Sequence, residues 1–91
     1  MARLADSARP RFAAGCRWGS QGENRVVLYP EGMLRVRATG LSILSLCDGE
    51  RTIEQIVAAL SERYPGAGPL RMREDVEAFL EALRQKRIVD Y

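Results

Sequence analysis

The chain has 91 residues, a formal net charge of +2, 46% hydrophobic and 29% charged residues, and no histidine. This composition predicts one globular domain over residues 1–91, excludes disorder throughout, and carries too little charge to identify a polyanion-binding protein. Without histidine the chain lacks the commonest general base and the commonest metal ligand.

The two cysteines, Cys16 and Cys47, are far apart and form no CxxC motif. This spacing argues against a metal site, and no cluster pairs a nucleophile with a base. The sequence therefore predicts no catalytic residue, no metal and no cofactor. No apolar run is long enough to cross a bilayer, and residues 1–10 lack the apolar segment of a secretion signal. We expect a cytoplasmic protein that does not bind membranes, with residues 1–10 as a flexible lead-in.

The first half of the chain predicts three short strands. Residues 11–18 place Phe12 and Trp18 on one face, and residues 25–29 (RVVLY) are rich in β-branched and aromatic side chains. A polar loop with two glycines, residues 19–24, reverses the chain between them.

The third strand follows a turn at residues 30–32 (PEG), because proline and glycine both favour turn geometry. Over residues 33–38, Leu34 and Val36 alternate with Met33, Arg35 and Arg37, which gives one apolar face and one arginine-rich face. The three strands predict an antiparallel meander.

Three helices are predicted in the second half. The first covers residues 40–47 with Thr39 as its N-cap, and the second starts at Thr52 with a capping box completed by Gln55. The third covers residues 71–86, and residues 88–89 then form a short strand or dock on the core. Strands followed by helices indicate an α+β fold, similar to a winged helix-turn-helix.

Several segments carry a resemblance to a known family. They are the VLYPEG sequence at residues 27–32, Thr39-Gly40, the CDG sequence at residues 47–49, and apolar positions along the third helix. With these residues the chain resembles the PqqD family of pyrroloquinoline quinone (PQQ) biosynthesis. It departs from the family pattern at Lys86-Arg87, where a glycine often precedes the last apolar pair.

The resemblance implies a small peptide-binding module, a recognition element for ribosomally made and modified peptides, without catalytic residues of its own. The family member binds the precursor peptide PqqA and presents it to the radical SAM enzyme PqqE, which crosslinks a glutamate and a tyrosine of the peptide. In related domains the peptide adds as a strand to the third strand, beside the third helix. The expected peptide-binding residues here are Met33, Leu34, Arg35, Val36, Arg37, Val76, Phe79, Leu80, Leu83 and Arg84.

The sequence leaves several alternatives open. Most of the third-helix stripe belongs to the core of such a fold, with Phe79 and Leu83 divided between core and groove, and Arg35 and Arg37 can form a solvated face that discourages aggregation. A winged-helix nucleic-acid-binding module is the alternative function, although we expect no nucleic acid partner because the net charge is small. Monomer and domain-swapped dimer both remain open.

Overall fold

The computed structural model describes residues 5–36 and 38–91. It confirms an α+β fold in which a small antiparallel sheet of three strands precedes three helices. The elements in chain order are β1 Arg11–Phe12, β2 Arg17–Gln21, β3 Asn24–Tyr29, β4 Gly32–Arg35, α1 Thr39–Ser45, α2 Ile53–Arg63, α3 Pro69–Gln85 and β5 Val89–Asp90.

The single first strand expected over residues 11–18 is wrong, because the chain turns in its middle. Gly15 has a φ of 84°, and the Cys16 amide donates to the Ala13 carbonyl over 3.1 Å. The first part, β1, therefore pairs with β5 in a separate two-stranded sheet, and the second part, β2, pairs with β3. The loop expected over residues 19–24 shrinks to a tight turn in which Gly22 takes a φ of 62°.

The third strand is shorter than the expected 33–38, because β4 ends at Arg35. Ala38 has a φ of 55°, which no strand can continue, and this residue precedes α1 directly. The expected N-cap role of Thr39 is also wrong, since Thr39 is the first helical residue and Ala38 occupies the cap position without a side-chain bond. Arg37 lies outside the described residues.

The other helix boundaries follow the sequence closely. The capping box of α2 is confirmed, with the Gln55 amide donating to Thr52 Oγ1 over 3.2 Å and the Thr52 amide donating to Gln55 Oε1 over 2.9 Å. The third helix starts slightly earlier than expected, because Pro69 fits the first helical turn, where its missing N–H costs nothing. Residues 88–89 are buried, and β5 begins at Val89.

The hydrophobic core lies between the helices and one face of the three-stranded sheet. Trp18, Val27 and Leu34 are cross-strand neighbours on that face, and all three contact the core. Its buried members are Val27, Val36, Ile43, Leu44, Cys47, Ile53, Ile56, Leu60, Met72, Val76, Leu80, Leu83, Ile88 and Val89. In the described part of the chain, no helix has the length and apolar character needed to cross a membrane.

Residues 5–10, expected as a lead-in, form neither helix nor strand but are hydrogen-bonded to the helical half. The Gly49 amide donates to the Pro10 carbonyl, and the Ile53 amide donates to the Ala8 carbonyl, each over 2.9 Å. Asp6 forms an ion pair with Arg73 of α3. Together with the β1–β5 pairing, these bonds hold both ends of the described chain against the helices.

Candidate functional site

The outer edge of β4 is open as far as the described residues show. The strand order β2-β3-β4 makes β4 an edge strand, and β3 is its one pairing partner among residues 5–36 and 38–91. The β3–β4 hairpin has a two-residue loop closed by the Tyr29–Gly32 pair. Residues that flank such a loop exchange hydrogen bonds, and hydrogen-bonded and non-bonded pairs then alternate along the ladder.

This alternation assigns the direction of each backbone group in β4. Leu34, two residues beyond the closing pair, faces Val27 in a hydrogen-bonded pair, so its N–H and C=O point into the sheet. Met33 and Arg35 face β3 in non-bonded pairs, so their N–H and C=O point outward. The open edge therefore presents two donors and two acceptors, all from Met33 and Arg35.

The side chains predicted for the strand half of the site divide between solvent and core. Met33 is 46% exposed and Arg35 is also exposed, on the sheet face that points away from the core. Leu34 is half-buried against the core, and Val36 is buried in it. Two of the four described residues are thus accessible to a partner.

The helix half divides in the same way. Val76, Leu80 and Leu83 are buried in the core, so they support the surface of α3 from below. Phe79 is half-buried and packs at the margin of the core. Arg84 is exposed, and its guanidinium carbon lies 4.9 Å from the centre of the Tyr91 ring. The predicted helix residues that a partner can reach are therefore Phe79 and Arg84, and not the buried stripe.

A contact between α1 and α3 runs through Gly40 and Phe79. A Cβ atom at Gly40 would lie only 2.8 Å from Phe79 Cε1, so the glycine allows the ring to pack against the first turn of α1. This turn begins shortly after the end of β4. The sequence signal was the glycine itself. Glycine is unfavourable in a helix, so its presence in a helical turn indicates that another group packs closely against it.

An open cavity of about 220 Å³ adjoins the end of β4. Residues from the β2–β3 turn, β3, the end of β4 and the start of α1 surround it. They are Glu23, Asn24, Arg25, Arg35, Val36, Ala38 and Leu41. Sequence reasoning missed this cavity because it depends on how the hairpin and α1 come together across separate parts of the chain.

Two groups with shifted pKa values, Cys47 and Asp48, lie just after the end of α1. Burial, and then the charge of Asp48, raise the pKa of the Cys47 thiol to about 12, and its Sγ donates to the Ile43 carbonyl over 3.3 Å. Backbone amides of Arg51 and Glu50 donate to Asp48 and lower the pKa of its carboxyl. Within residues 5–36 and 38–91, no three His, Cys, Asp or Glu side chains gather as a metal site.

Comparison with known proteins identifies the family of this chain. The family model described as "Coenzyme PQQ synthesis protein D (PqqD)" matches residues 24–89, from the start of β3 to β5. The solution NMR structure of the PqqD truncation of Methylobacterium extorquens PqqCD, described as a functional and stand-alone RiPP recognition element, superposes with a TM-score of 0.78 at 29% identity. That match covers 97% of this chain and 95% of the other.

Two curated relatives are called "PqqA binding protein". The protein of Kluyvera intermedia is 41% identical over 88 residues, which span 93% of this chain and 94% of the relative. The protein of Azotobacter vinelandii is 39% identical over 83 residues, which span 89% and 88% of the two chains. With a matching family model over most of its length and relatives aligned nearly end to end, the chain belongs to the PqqD family.

Proposed function

We propose that this chain binds a PqqA-type precursor peptide in PQQ biosynthesis, and that the peptide adds as a strand to the outer edge of β4. The observation that carries the proposal is the open edge, where Met33 and Arg35 present backbone donors and acceptors outward. Strand addition uses such groups for affinity and the alternating side chains for specificity. The name of the Kluyvera and Azotobacter relatives supports the identity of the peptide.

The energy of this mode is adequate for reversible binding. Four backbone hydrogen bonds contribute about 4 kcal/mol at about 1 kcal/mol each. Burying about 200 Å² of apolar peptide surface near Leu34, Met33 and Phe79 adds about 5 kcal/mol. Ordering a flexible peptide costs about 2–5 kcal/mol. The remainder corresponds to a Kd between about 1 mM and 10 µM, before any charge interaction is added.

The second part of the proposal is that the bound peptide is presented to the radical SAM enzyme PqqE, with this chain acting as a binding protein and not as a catalyst. The length of β4 supports this role. Four residues span about 13 Å of extended chain. A peptide held along β4 is therefore paired over about four residues, and the residues beyond them stay free for the active site of another protein.

We place this activity in the cytoplasm, in keeping with the two free thiols of Cys16 and Cys47. Whether the chain acts as a monomer or as a domain-swapped dimer is decided by sedimentation across a range of concentrations.

Fluorescence anisotropy of a labelled synthetic PqqA-type peptide tests the binding step. Saturable binding is expected, followed by a further rise in anisotropy when PqqE is added and a ternary complex forms. A random DNA duplex serves as the second probe. No saturation with the peptide, or tighter and steeply salt-dependent binding to the duplex, contradicts the proposal and supports a winged-helix nucleic-acid module.

A further inference from the structure

The three-stranded sheet has a second face, which points away from the helices. Side chains alternate between the two faces of a strand, so this outer face carries the neighbours of the core-facing residues Trp18, Val27 and Leu34. The register places six residues on the outer face that matter here. They are Arg17 and Gly19 of β2, Val26 and Leu28 of β3, and Met33 and Arg35 of β4.

The centre of the outer face is apolar. Val26 is fully buried between its cross-strand neighbours Gly19 and Arg35. A Cβ atom at Gly19 would lie only 2.8 Å from Leu28 Cδ1, so the leucine side chain spreads across the glycine toward β2. On the other side of Leu28 stands its cross-strand neighbour Met33, which is 46% exposed. An apolar strip therefore crosses the sheet and ends at the β4 edge.

The outer face carries positive charge beside this strip. Arg17 is a cross-strand neighbour of Leu28, Arg35 is a neighbour of Val26, and both arginines are exposed. Within residues 5–36 and 38–91 neither arginine forms an ion pair. No paired position of β2, β3 or β4 that projects to this face is an aspartate or glutamate. The face is therefore complementary to a protein surface that combines apolar side chains with carboxylates.

This charge argues against a second copy of the chain as the occupant. A copy seated on the outer face through its own outer face would bring another Arg17 and another Arg35 to the contact. Like charges at a contact oppose association, and they select for a different partner. The occupant that fits is thus a different protein with an acidic surface.

A peptide added to β4 would extend the outer face by one strand. Its side chains opposite Met33 and Arg35 project to the same face as those two residues, in whichever direction the peptide runs. The residue between them lies opposite Leu34 and faces the core side. A protein that covers the outer face therefore touches this chain and the bound peptide at the same time.

We propose that the outer face, together with the outward side chains of the added peptide, is the docking surface for the enzyme that modifies the peptide. The inference rests on the proposed function, because the peptide forms one border of the surface. It also gives the enzyme a physical means to distinguish the loaded chain from the free one. By linkage, peptide and enzyme then strengthen each other's binding by the same factor.

Three variants test the docking surface. Arg17→Glu reverses a charge of the outer face on β2, two strands away from the peptide edge, and Leu28→Ala shortens the apolar strip on the central strand. Arg63→Glu is the matched control, since Arg63 is an exposed arginine in the last turn of α2, in the helical layer. Amide spectra of each variant confirm folding.

Two affinities are measured for each variant. Fluorescence anisotropy of a labelled PqqA-type peptide gives the Kd of the peptide without enzyme. Anisotropy of the labelled chain gives the Kd of the radical SAM enzyme PqqE, with and without saturating peptide.

We expect peptide loading to strengthen the binding of PqqE to wild type by about 5- to 20-fold. Arg17→Glu and Leu28→Ala should each weaken the binding of PqqE to the loaded chain by about three- to tenfold. The Kd of the peptide alone should stay within about twofold in both variants. Arg63→Glu should change neither affinity by more than about twofold.

Several results overturn the docking surface while peptide binding stands. PqqE may fail to bind the loaded chain, bind the free and loaded chains equally, or bind Arg17→Glu and Leu28→Ala as tightly as wild type. An equal loss in Arg63→Glu assigns the effect to general charge and also removes the surface. If the wild-type chain does not bind the peptide at all, the proposed function fails, and the docking surface fails with it.

Discussion

The two edges of the three-stranded sheet have the same backbone pattern and different surroundings. On β2, Trp18 and Ser20 occupy the non-bonded positions and direct their N–H and C=O outward, as Met33 and Arg35 do on β4. The Trp18 ring is already engaged, with the Phe12 ring at 5.5 Å and Arg25 over its face. On β4, the Met33 side chain is 46% exposed, and Arg35 has no ion pair within the described chain.

The difference shows that an open edge is not by itself a recognition site. Unpaired backbone groups supply affinity for any extended chain, so specificity must come from the side chains beside them. The β2 edge uses its aromatic ring for internal packing. The β4 edge keeps an exposed methionine and an arginine, and residues at the start of α1 share a cavity with the end of this strand. Four predictions test this contrast, from the largest expected effect to the smallest.

The first prediction separates the core of α3 from its surface. Leu80→Ala removes a fully buried side chain and is expected to lower the free energy of unfolding by about 2–5 kcal/mol. Leu70→Ala, on the same helix but 73% exposed, should change it by less than about 0.5 kcal/mol. Chemical denaturation measures both. A Kd for peptide that weakens more than about threefold in folded Leu80→Ala would mean that this residue contacts the peptide after all.

The second prediction compares the two edges directly. Met33→Pro and Ser20→Pro each remove one outward amide, at equivalent positions on β4 and β2 that donate nothing to β3. Met33→Pro should weaken peptide binding by about 10- to 100-fold, through one lost hydrogen bond and the bulk of the ring at the contact. Ser20→Pro should leave Kd within about twofold. Calorimetric titration decides the matter, and equal losses in both variants would remove the distinction between the edges.

The third prediction concerns the contact between Gly40 of α1 and Phe79 of α3. In Gly40→Ala the new methyl group meets the Phe79 ring, so the ring must move and the surface beside the edge changes. We expect peptide binding to weaken by about three- to tenfold, and the Phe79→Leu substitution to relieve the crowding and recover part of the loss in the double variant. Binding by Gly40→Ala that matches wild type would show that this surface does not touch the peptide.

The fourth prediction is that alkylation of Cys16, next to β2, leaves the affinity for the peptide unchanged. A pKa of about 12 leaves only about one Cys47 thiol in ten thousand ionised at pH 8, and the thiol is buried, so iodoacetamide should label Cys16 alone. Cys16 directly precedes β2, and its adduct should leave peptide affinity unchanged within about twofold. Peptide mapping locates the label. Fast labelling of Cys47 in native protein, or an adduct at Cys16 that blocks binding, contradicts this.

Local patterns in the sequence predicted much of the fold. The capping box at Thr52, the RVVLY strand and the start and end of α2 depend on neighbouring residues, and all are present as expected. The largest error occurred where a distant partner decides the structure. Residues 11–18 alternate like one strand, but β1 pairs with β5 at the other end of the chain, which no local pattern reveals.

The candidate site was predictable in outline only. Alternation in β4 identified Met33 and Arg35 as its outward side chains, because a period of two follows from strand geometry. The stripe on α3 could not be divided into core and surface from its spacing, since Val76 and Phe79 share one helical face yet differ in burial. The cavity and the Gly40–Phe79 contact arise from the packing of separate elements, and spacing along the chain does not encode them.

Amide hydrogen exchange of isotope-labelled protein, with and without saturating PqqA-type peptide, tests strand addition to β4 most directly. The backbone amides of Met33 and Arg35 point away from β3 in the free protein. Their hydrogen exchange should therefore slow by at least about tenfold when the peptide pairs with them. Trp18 and Ser20, the equivalent positions on β2, should exchange at unchanged rates. Saturation of the protein with peptide while Met33 and Arg35 stay unprotected, or protection at Trp18 and Ser20 instead, would contradict strand addition to β4.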